Sequence, residues 1–391
     1  MKQNINKGIA YYLFQVLRYP VKWYINHLLN LNLIKNEAKD DKGPFFITGN
    51  HVTVYDPIIA LVYLKPLVRW VAADANYDNK LKTIFMKLGN VIPIAKRNSD
   101  IRTIKRLIKE VKQGNAVGLY PEGGRTWHGE TDSLIQSTSK LIKLLGIKVY
   151  CQKLEGAYVS SPRWGKYYRK GVLNVSIYEM LSEEDVKKMT DDQIYQVLKE
   201  NLYHNDYDYQ KEHMVPLEGR DNAEYIERII YVCPNCHNIH TFSSLGDEFK
   251  CKACHAKGKV NEYGLIEGDF QYDNLVDWHH FQKQYLKEYL EENVIEPVEL
   301  FDVKYKSKNA DGIKEKHLVN FFIHPEKMII DYEDNRKIIN FKDVSEPSLT
   351  FKNTIIFYEN RNRHEFVIEP FLHNNASIVY IYEIIKYLRG K

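Results

Sequence analysis

A chain of 391 residues is too long for one ordinary compact core, so its length predicts two or three domains. Its 44% hydrophobic and 27% charged residues lie in the range of globular proteins and exclude disorder as the default state. The formal net charge of +4 is too small to indicate a nucleic-acid-binding protein, although a weakly basic surface is compatible with an anionic membrane.

The first 36 residues contain basic but no acidic side chains, and no uncharged run approaches the roughly 20 residues that span a bilayer. No secretory signal is predicted, because no short apolar run ends at a small-residue cleavage site. Pro20 is expected to break the segment into two helices. Large apolar residues surround a narrow polar stripe at helical spacing, formed by Gln15, Arg18, Lys22, Asn26 and Asn30. We therefore predict amphipathic, membrane-interfacial helices over residues 1–36, against the alternative of a helical pair packed on its own domain.

Short apolar runs then alternate with longer helical stretches as far as about Gln210. Strands are expected at Phe45–Thr48, Val68–Ala72, Val91–Ile94, Val117–Tyr120, Val149–Leu154 and Val172–Ile177. Helices are expected at Ile58–Tyr63, Lys80–Leu88, Ile101–Lys112 and Ser137–Leu145, with a last one over Ser182–Tyr203. This alternation predicts an α/β domain with a largely parallel sheet over residues 37–215.

The remaining chain is predicted to hold smaller modules. A polar stretch with Pro216 and Gly219 indicates a linker over residues 216–224, and the cysteine-rich segment follows at 225–268. A connecting helix is expected within residues 269–295, at Asn274–Glu292. From 296 to 391, seven short alternating segments and a final helix at about Ala376–Leu388 resemble a pleckstrin-homology-like (PH-like) barrel.

Four of the five cysteines form two Cys-x-x-Cys pairs, fourteen residues apart: Cys233, Cys236, Cys251 and Cys254. Each pair can present two thiolates to one tetrahedral ion, so the pattern predicts a zinc-ribbon-like module with a structural zinc. The flanking segments Tyr231-Val232 and Glu248-Phe249 are expected to be hairpin strands. His237, His240 and His255 are alternative ligands nearby, and a redox pair is the alternative chemistry. Cys151 is predicted to be a small buried hydrophobe.

His51 and Asp56 are separated by four residues. The pair directly follows a predicted strand and directly precedes Pro57, where a helix is expected to begin. A histidine can act as a general base at neutral pH, and a carboxylate on its other ring nitrogen fixes the tautomer. The spacing alone is weak evidence, because a helix-capping Asp beside a structural His has the same pattern.

A second segment, Leu119–Thr126, also follows a predicted strand and contains Gly123, Gly124 and Arg125. Exposed amides and a guanidinium form a natural site for phosphate or another anion, against the alternative of an ordinary glycine-rich turn. A third basic element, Lys96-Arg97, follows the predicted strand Val91–Ile94, and its alternative is a solvated charge pair.

Together and in this order, these segments resemble the glycerolipid (PlsC-type) acyltransferase family, which includes 1-acylglycerol-3-phosphate acyltransferases. Asn50-His51-x-x-x-x-Asp56-Pro57 resembles the first motif of that family. Tyr120–Thr126 resembles the third motif, which is usually aromatic-Pro-Glu-Gly-Thr-Arg-Ser, with Gly124 in place of the usual Thr. The fourth, proline-rich motif is matched poorly by Lys148–Gln152. The resemblance covers roughly Ile9 to Gln210, about half of the chain.

The resemblance implies a catalytic pair of His51 as base and Asp56 as its orienting partner. It also implies an acceptor site in which Arg125 contacts the phosphate and Arg97 is the second-motif arginine, with Lys96 fitting that spacing equally well. The substrate-binding residues expected on this basis are Lys96, Arg97, Glu122, Gly123, Gly124 and Arg125.

The reaction so implied is transfer of a fatty acyl group from acyl-coenzyme A or acyl carrier protein to the free hydroxyl of a lysophospholipid, with lysophosphatidic acid expected. No catalytic cofactor is expected, and the protein is expected to lie peripherally (monotopically) on the cytoplasmic face of a membrane. The C-terminal modules are expected to bind a protein or lipid partner, and no nucleic-acid partner is expected. The alternative is a non-catalytic lipid- or protein-binding adaptor built on an acyltransferase core.

Overall fold

The structure, a computed structural model, describes residues 9–73, 80–94, 101–292, 296–309, 311–312, 314–333, 335–360 and 362–391. The chain divides into two compact units. Unit 1 comprises Met1–Thr126, Glu130–Ser160 and Lys170–Val215, and unit 2 comprises Trp127–Gly129, Ser161–Arg169 and Pro216–Lys391.

Unit 1 contains one sheet, and its described strands in chain order are β1 (Leu31–Asn36), β2 (Phe46–Gly49), β3 (Arg69–Ala73), β4 (Ile92–Ile94), β5 (Val117–Gly118), β6 (Val149–Glu155) and β7 (Leu173–Leu181). Their order across the sheet is β1-β7-β6-β2-β5-β3-β4. Strands β6 and β7 are antiparallel, whereas the other neighbours are parallel. The central strand β2 is buried at every position, as expected for a parallel strand covered on both faces.

The described helices of unit 1 are α1 (Ile9–Leu29), α2 (Asp56–Tyr63), α3 (Lys80–Leu88), α4 (Ile101–Lys112), α5 (Ser137–Leu145), α6 (Ala157–Ser160), α7 (Glu183–Lys188), α8 (Asp191–Leu202) and α9 (Asp206–His213). Leu107 of α4, Ile142 of α5 and Leu198 of α8 pack in one core with Phe46 and Val117 of the sheet. Burying each such side chain contributes roughly 1.5–3 kcal/mol, and this core holds β2 and β5 side by side.

The expectation of two N-terminal helices is wrong within the described residues. Helix α1 runs through Pro20, and residues 31–36 form strand β1, which pairs in parallel with β7. Pro20 removes a single backbone hydrogen bond, and contacts between the rest of unit 1 and side chains before and after Pro20 keep the helix continuous. Gln15 Nε2 donates to Lys65 O at 2.9 Å, and Ile25 and Leu29 are buried.

The single helix expected over Ser182–Tyr203 is two helices, α7 and α8. The break lies at Thr190, whose hydroxyl accepts the Gln193 N–H while the Gln193 side chain accepts the Thr190 N–H. This reciprocal capping box satisfies amide groups that a new helix would otherwise leave unpaired, and so it starts α8.

The cysteine-rich part of unit 2 contains an antiparallel sheet of β8 (Phe242–Leu245), β9 (Glu248–Cys251), β10 (Lys257–Val260) and β11 (Ile266–Gly268). The expected strand at Tyr231-Val232 is only an isolated bridge from Val232 to Ile239. Residues 216–224, predicted as a linker, pack on this module, because Ala223 is buried and its N–H donates to Gly246 O at 3.0 Å.

Helix α10 (Leu275–Glu292) follows, close to the expected bounds. The last sheet comprises β12 (Val298–Lys308), β13 (Lys314–Ile323), β14 (Lys327–Tyr332), β15 (Asn335–Asn340), β16 (Ser348–Thr350), β17 (Thr354–Glu359) and β18 (Asn362–Val367). Among the described residues its order is β15-β14-β13-β12-β18-β17-β16, with antiparallel neighbours, and α11 (Ile378–Gly390) ends the chain. The predicted strands and final helix are present, while the interpretation as a PH-like barrel stays a prediction.

Candidate active site

The candidate site lies where β2 and β5 end, at one edge of the sheet in unit 1. These strands are parallel neighbours, with Phe46 opposite Val117 and Ile47 opposite Gly118, so the segments that follow them emerge side by side. Gly49 ends β2, and a Cβ there would lie 2.2 Å from Gln152 O, so the close approach of β6 requires glycine. The backbone leaving β2 is thereby fixed just before His51.

His51 and Asp56 form the expected pair, with 2.8 Å between His51 Nδ1 and Asp56 Oδ2. Asp56 is fully buried, and its carboxylate also accepts the Val52 N–H at 2.7 Å and the Thr53 hydroxyl at 2.6 Å. The Thr53 N–H donates to it as well, at 2.9 Å. An ionised carboxylate only accepts hydrogen bonds, so Nδ1 carries the proton and Nε2 is the basic nitrogen of the neutral ring.

An aromatic stack supports the His51 ring. Tyr120 is nearly parallel to it, with ring centroids 4.4 Å apart, and Trp70 lies beyond Tyr120 at 4.9 Å. Burial raises the pKa of Tyr120 well above its ordinary value, so its neutral hydroxyl donates to Gln152 Oε1 at 3.1 Å. Gln152 Nε2 in turn donates to the Asp56 carbonyl at 3.1 Å. Tyr120 thus supports the His51 ring, and Gln152 on strand β6 links Tyr120 to the backbone of Asp56.

Glu122 contacts the backbone of His51. Its Oε1 accepts the His51 N–H at 2.6 Å, and its Oε2 accepts the Asp132 N–H at 3.2 Å. The Thr126 N–H also donates to His51 O, at 3.0 Å, so the segment after β5 holds the peptide groups on both sides of His51. Burial raises the pKa of Glu122 well above its ordinary value, although the amide hydrogen bond from His51 opposes that shift. The structure therefore brings the two predicted segments together through this carboxyl group.

Arg125 is half-buried in the same segment. Burial lowers the pKa of its guanidinium, while the charge of Asp56 opposes that shift, and an arginine keeps its charge at neutral pH. Gly123 has a φ of +70°, which favours glycine. A Cβ at Gly124 would meet no atom within 4 Å. The position therefore has open space around it, where the third motif of the acyltransferase family usually has Thr.

Two of the expected substrate-binding residues, Lys96 and Arg97, lie outside the described residues. Cys151 is buried on β6, as predicted, and burial raises the pKa of its thiol to about 11. A thiol with so high a pKa is not a nucleophile at neutral pH.

Sequence reasoning missed several supporting residues. Thr53 precedes Asp56 by three positions, and this Thr-x-x-Asp spacing ahead of an apolar run is a capping signature that could have identified it. Gln152 is a polar residue within the apolar run of β6, and it is fully buried. Asn50 bonds both backbone groups of Leu154, with its Oδ1 2.9 Å from Leu154 N and its Nδ2 2.8 Å from Leu154 O. Trp70 carries no comparable signal in the sequence.

The four predicted metal ligands are brought together in unit 2, remote in the chain from the pair above. The sulfur atoms of Cys233, Cys236, Cys251 and Cys254 all lie within 4.8 Å of one another. None of these cysteines forms a disulfide.

Comparison with known proteins shows what the part of the chain that carries this site is similar to. Residues 30–150 match the family model described as Acyltransferase, and this range contains both the His51–Asp56 and the Tyr120–Thr126 segments. The 1-acyl-sn-glycerol-3-phosphate acyltransferase of Bacillus subtilis (strain 168) is 26% identical over 152 residues, which are 39% of this chain and 73% of that protein. The crystal structure of the 1-acyl-sn-glycerophosphate acyltransferase PlsC from Thermotoga maritima aligns with 15% identity and a TM-score of 0.43, covering 51% of this chain and 83% of that chain.

Proposed function

We propose that this protein transfers a fatty acyl group from an acyl thioester to the free hydroxyl of lysophosphatidic acid, giving phosphatidic acid. The match of residues 30–150 to the acyltransferase family model supports acyl transfer as the reaction class. The observation that carries the proposal is the buried Asp56 carboxylate on Nδ1 of a partly exposed His51, whose side chain is 22% exposed. The name of the Bacillus subtilis relative supports the choice of acceptor.

The proposed chemical step uses His51 as general base. Its Nε2 takes the proton of the acceptor hydroxyl as the oxygen attacks the thioester carbonyl, and Asp56 stabilises the imidazolium that forms. The tetrahedral intermediate then collapses, the carbon–sulfur bond breaks, and the imidazolium returns its proton to the leaving thiolate. Protons and electrons balance with His51 alone, so the step uses no enzyme nucleophile and needs no redox cofactor.

We propose that cationic side chains bind the phosphate of the acceptor. Arg125 lies in the segment that holds His51, and its guanidinium can form two parallel hydrogen bonds to phosphate oxygens. Lys96 and Arg97 are proposed to complete the charge around the phosphate. Gly123 and Gly124 are proposed to let the backbone approach the acceptor, because neither has a side chain. Glu122 is proposed to act on this site indirectly, by holding the backbone of His51 in position.

Helix α1 supports a peripheral position on a membrane, because its polar stripe faces the protein. Arg18 Nη2 donates to Val62 O at 3.3 Å, and Lys22 Nζ lies 4.8 Å from the centre of the Tyr63 ring. The polar side of α1 therefore contacts the carboxyl end of α2, where the last carbonyl groups have no hydrogen-bond partner within the helix. Large apolar side chains are left outward, among them Tyr19 at 73% and Trp23 at 71% exposure.

An outward face of aromatic and aliphatic side chains is the surface that inserts into a lipid interface. Nowhere in the described part of the chain is a helix both long and apolar enough to cross a membrane. We propose that α1 lies in the headgroup region and that the site opens toward the cytoplasmic side, where cysteines outside disulfides, such as those of unit 2, stay reduced. The proposed partners are therefore the membrane surface, the lysophospholipid and the acyl donor.

A thioester-release assay tests the proposal directly. Purified full-length protein is mixed with vesicles, lysophosphatidic acid and either acyl-coenzyme A or acyl carrier protein carrying an acyl chain, and free thiol is measured. We expect release that depends on the acceptor and formation of phosphatidic acid. No release with any lysophospholipid or donor would contradict catalysis and support the adaptor alternative, in which the protein binds lipid without turnover.

A further inference from the structure

The two Cys-x-x-Cys loops of unit 2 have the same backbone conformation. In the first loop the His237 N–H donates to Cys233 O at 2.8 Å, and in the second the His255 N–H donates to Cys251 O at 3.0 Å. His237 and His255 have φ angles of 60° and 64°, a left-handed conformation that L-residues adopt rarely. Two copies of one uncommon turn, with equivalent residues 18 positions apart in the chain, indicate a shared constraint at the point where they meet.

The closing bonds of the two turns are also matched. The Cys233 N–H donates to Asn238 O at 3.0 Å, and the Cys251 N–H donates to Ala256 O at 2.9 Å. Each loop is thus closed on itself and presents both of its sulfur atoms on one side. His237 and His255 occupy the turn position itself, so their backbone role differs from that of a ligand.

The sulfur positions fit a tetrahedral ion. Cys233 Sγ is 3.7 Å from Cys254 Sγ, and Cys236 Sγ is 3.8 Å from Cys251 Sγ. Four sulfurs at about 2.3 Å from a central zinc ion lie about 3.8 Å from one another in a regular tetrahedron. A disulfide would require about 2.05 Å, little more than half of these separations. The geometry therefore matches a filled thiolate shell and not a pair of disulfides.

A hydroxyl group lies beside one of the sulfur atoms. Thr241 Oγ1 lies 3.1 Å from Cys251 Sγ. Donors of this kind stabilise thiolates, and supporting hydrogen bonds orient metal ligands.

We propose that Cys233, Cys236, Cys251 and Cys254 bind one Zn²⁺ as a tetrathiolate and that this ion joins the cysteine-rich module to helix α10. On binding, four thiols release four protons and the ion gains four sulfur ligands, with no change of oxidation state. A shell filled by four cysteines has no open position, so the ion stabilises structure and takes no part in acyl transfer. The inference does not depend on the proposed reaction.

Contacts to α10 show what the ion would stabilise. Trp278 Nε1 donates to Val232 O at 3.1 Å, one residue before Cys233. Gln282 bonds the same segment twice, through the Tyr231 N–H at 3.0 Å and through Ile229 O at 2.9 Å. The segment that carries the first cysteine loop is therefore held against one helix of unit 2.

The second loop reaches the same helix through aromatic side chains. Phe242 of β8 and Phe249 of β9 have ring centroids 5.6 Å and 6.0 Å from that of Trp278, and β9 ends at Cys251. The strand carrying the second loop and the segment carrying the first thus converge on Trp278. Small modules of this kind bury too little apolar surface to be stable alone, so the ion contributes folding free energy.

Metal analysis of the full-length protein, purified without chelator, tests the site. We expect about one zinc per chain, and cobalt exchange should give the charge-transfer and visible absorption of a tetrahedral thiolate complex. Cys254→Ser and Cys236→Ser should both lose the metal. Cys254 is exposed and Cys236 half-buried, so neither change should disturb packing beyond the loss of a ligand. Cys151→Ala, which removes the lone cysteine of unit 1, should keep the metal.

Two further measurements separate the alternatives. His237→Gly and His255→Gly should retain zinc, because glycine suits a positive φ and neither imidazole is a ligand. Removal of zinc should expose the segment between Tyr231 and α10 to protease while unit 1 stays resistant. Folded protein that contains no zinc would overturn the proposal, and so would zinc retained in both cysteine variants. Disulfides would overturn it too, detected as a lower mass of the intact protein when no reductant is present. Zinc content is read independently of thiol release, so failure here is distinct from failure of the proposed reaction.

Discussion

The backbone N–H of His51 donates to the Glu122 carboxylate, with 2.6 Å between N and Oε1. These residues stand 71 positions apart in the chain and meet because β2 and β5 are parallel neighbours. The contact fixes the backbone of the proposed base from the segment that carries the proposed phosphate ligand, Arg125. Base and acceptor site are thus parts of one hydrogen-bonded assembly in unit 1.

Replacing Glu122 with Ala should lower kcat on the order of 10²-fold while changing the KM for the acceptor little. The His51 backbone would lose its acceptor and the ring would shift, and a small misplacement of a reacting group has effects of that size. Steady-state kinetics with lysophosphatidic acid measure both constants. Asp132→Asn is the matched control, because it leaves the Asp132 N–H in place. A rise in KM alone would show that Glu122 binds the acceptor directly.

Arg125→Ala should raise the KM for lysophosphatidic acid about 10- to 100-fold, because a hydrogen bond to a charged group contributes roughly 1.5–3 kcal/mol. An acceptor without phosphate, monoacylglycerol, should show no such change. The KM of Arg125→Lys for lysophosphatidic acid should lie between the values of the parent protein and Arg125→Ala, since lysine keeps the charge but loses the paired donors. Equal effects on both acceptors would contradict a contact between Arg125 and phosphate.

Trp23→Glu and Tyr19→Glu should each weaken binding to phospholipid vesicles roughly 10- to 100-fold, as full burial of one large apolar side chain contributes about 1.5–3 kcal/mol. Cosedimentation measures the binding. Leu144→Glu on α5 is the control, because this side chain is 59% exposed but lies outside α1. If all three variants bound equally well, α1 would not be the membrane-contacting element.

His279 should make unit 2 sensitive to acid. Burial lowers the pKa of His279 to about 3, from an ordinary value near 6.5, with the charges of Lys283 and His280 acting in the same direction. The folded state binds fewer protons than the unfolded state between these values. The stability linked to His279 is therefore full above pH 6.5 and declines as the pH falls toward 3.

Between pH 7 and pH 5 this decline amounts to about 2 kcal/mol. Urea unfolding of unit 2 at both values should show His279→Phe losing less stability than the parent chain. The proposed zinc site is common to both proteins, so any pH dependence that it contributes cancels in the difference. His213→Phe, at an exposed histidine of unit 1, is the control. The same decline in parent and His279→Phe proteins would contradict the assignment.

Local contacts of the site were predictable from sequence, and long-range ones were not. His51 and Asp56 are close along the chain, so a turn before α2 suffices to bring them to 2.8 Å. The Glu122 contact depends on which strands are neighbours, and alternating apolar runs specify a parallel sheet without specifying its strand order. The stacking of Tyr120 between His51 and Trp70 needs the same information.

The helix and strand errors have identifiable physical causes. Thr190 and Gln193 form a capping box that the apolar periodicity of Ser182–Tyr203 obscured. Strand β1 has mostly exposed side chains and lies at the edge of the sheet as far as the structure describes it, so its sequence lacks the apolar run of a central strand. Helix α1 passes through Pro20 because tertiary contacts on both sides outweigh the lost backbone bond. The strand and the unbroken helix depend on contacts outside the local window, whereas the capping box is a local signal within it.

The most direct test of the account is the turnover of His51→Ala, measured by thiol release with lysophosphatidic acid on vesicles. General base catalysis contributes about 10²- to 10⁴-fold, so we expect a loss of that size, with circular dichroism and zinc content unchanged. Asp56→Asn should show a comparable loss, because it removes the acceptor that holds the proton on Nδ1. Turnover of His51→Ala near that of the parent protein would contradict its role as the base.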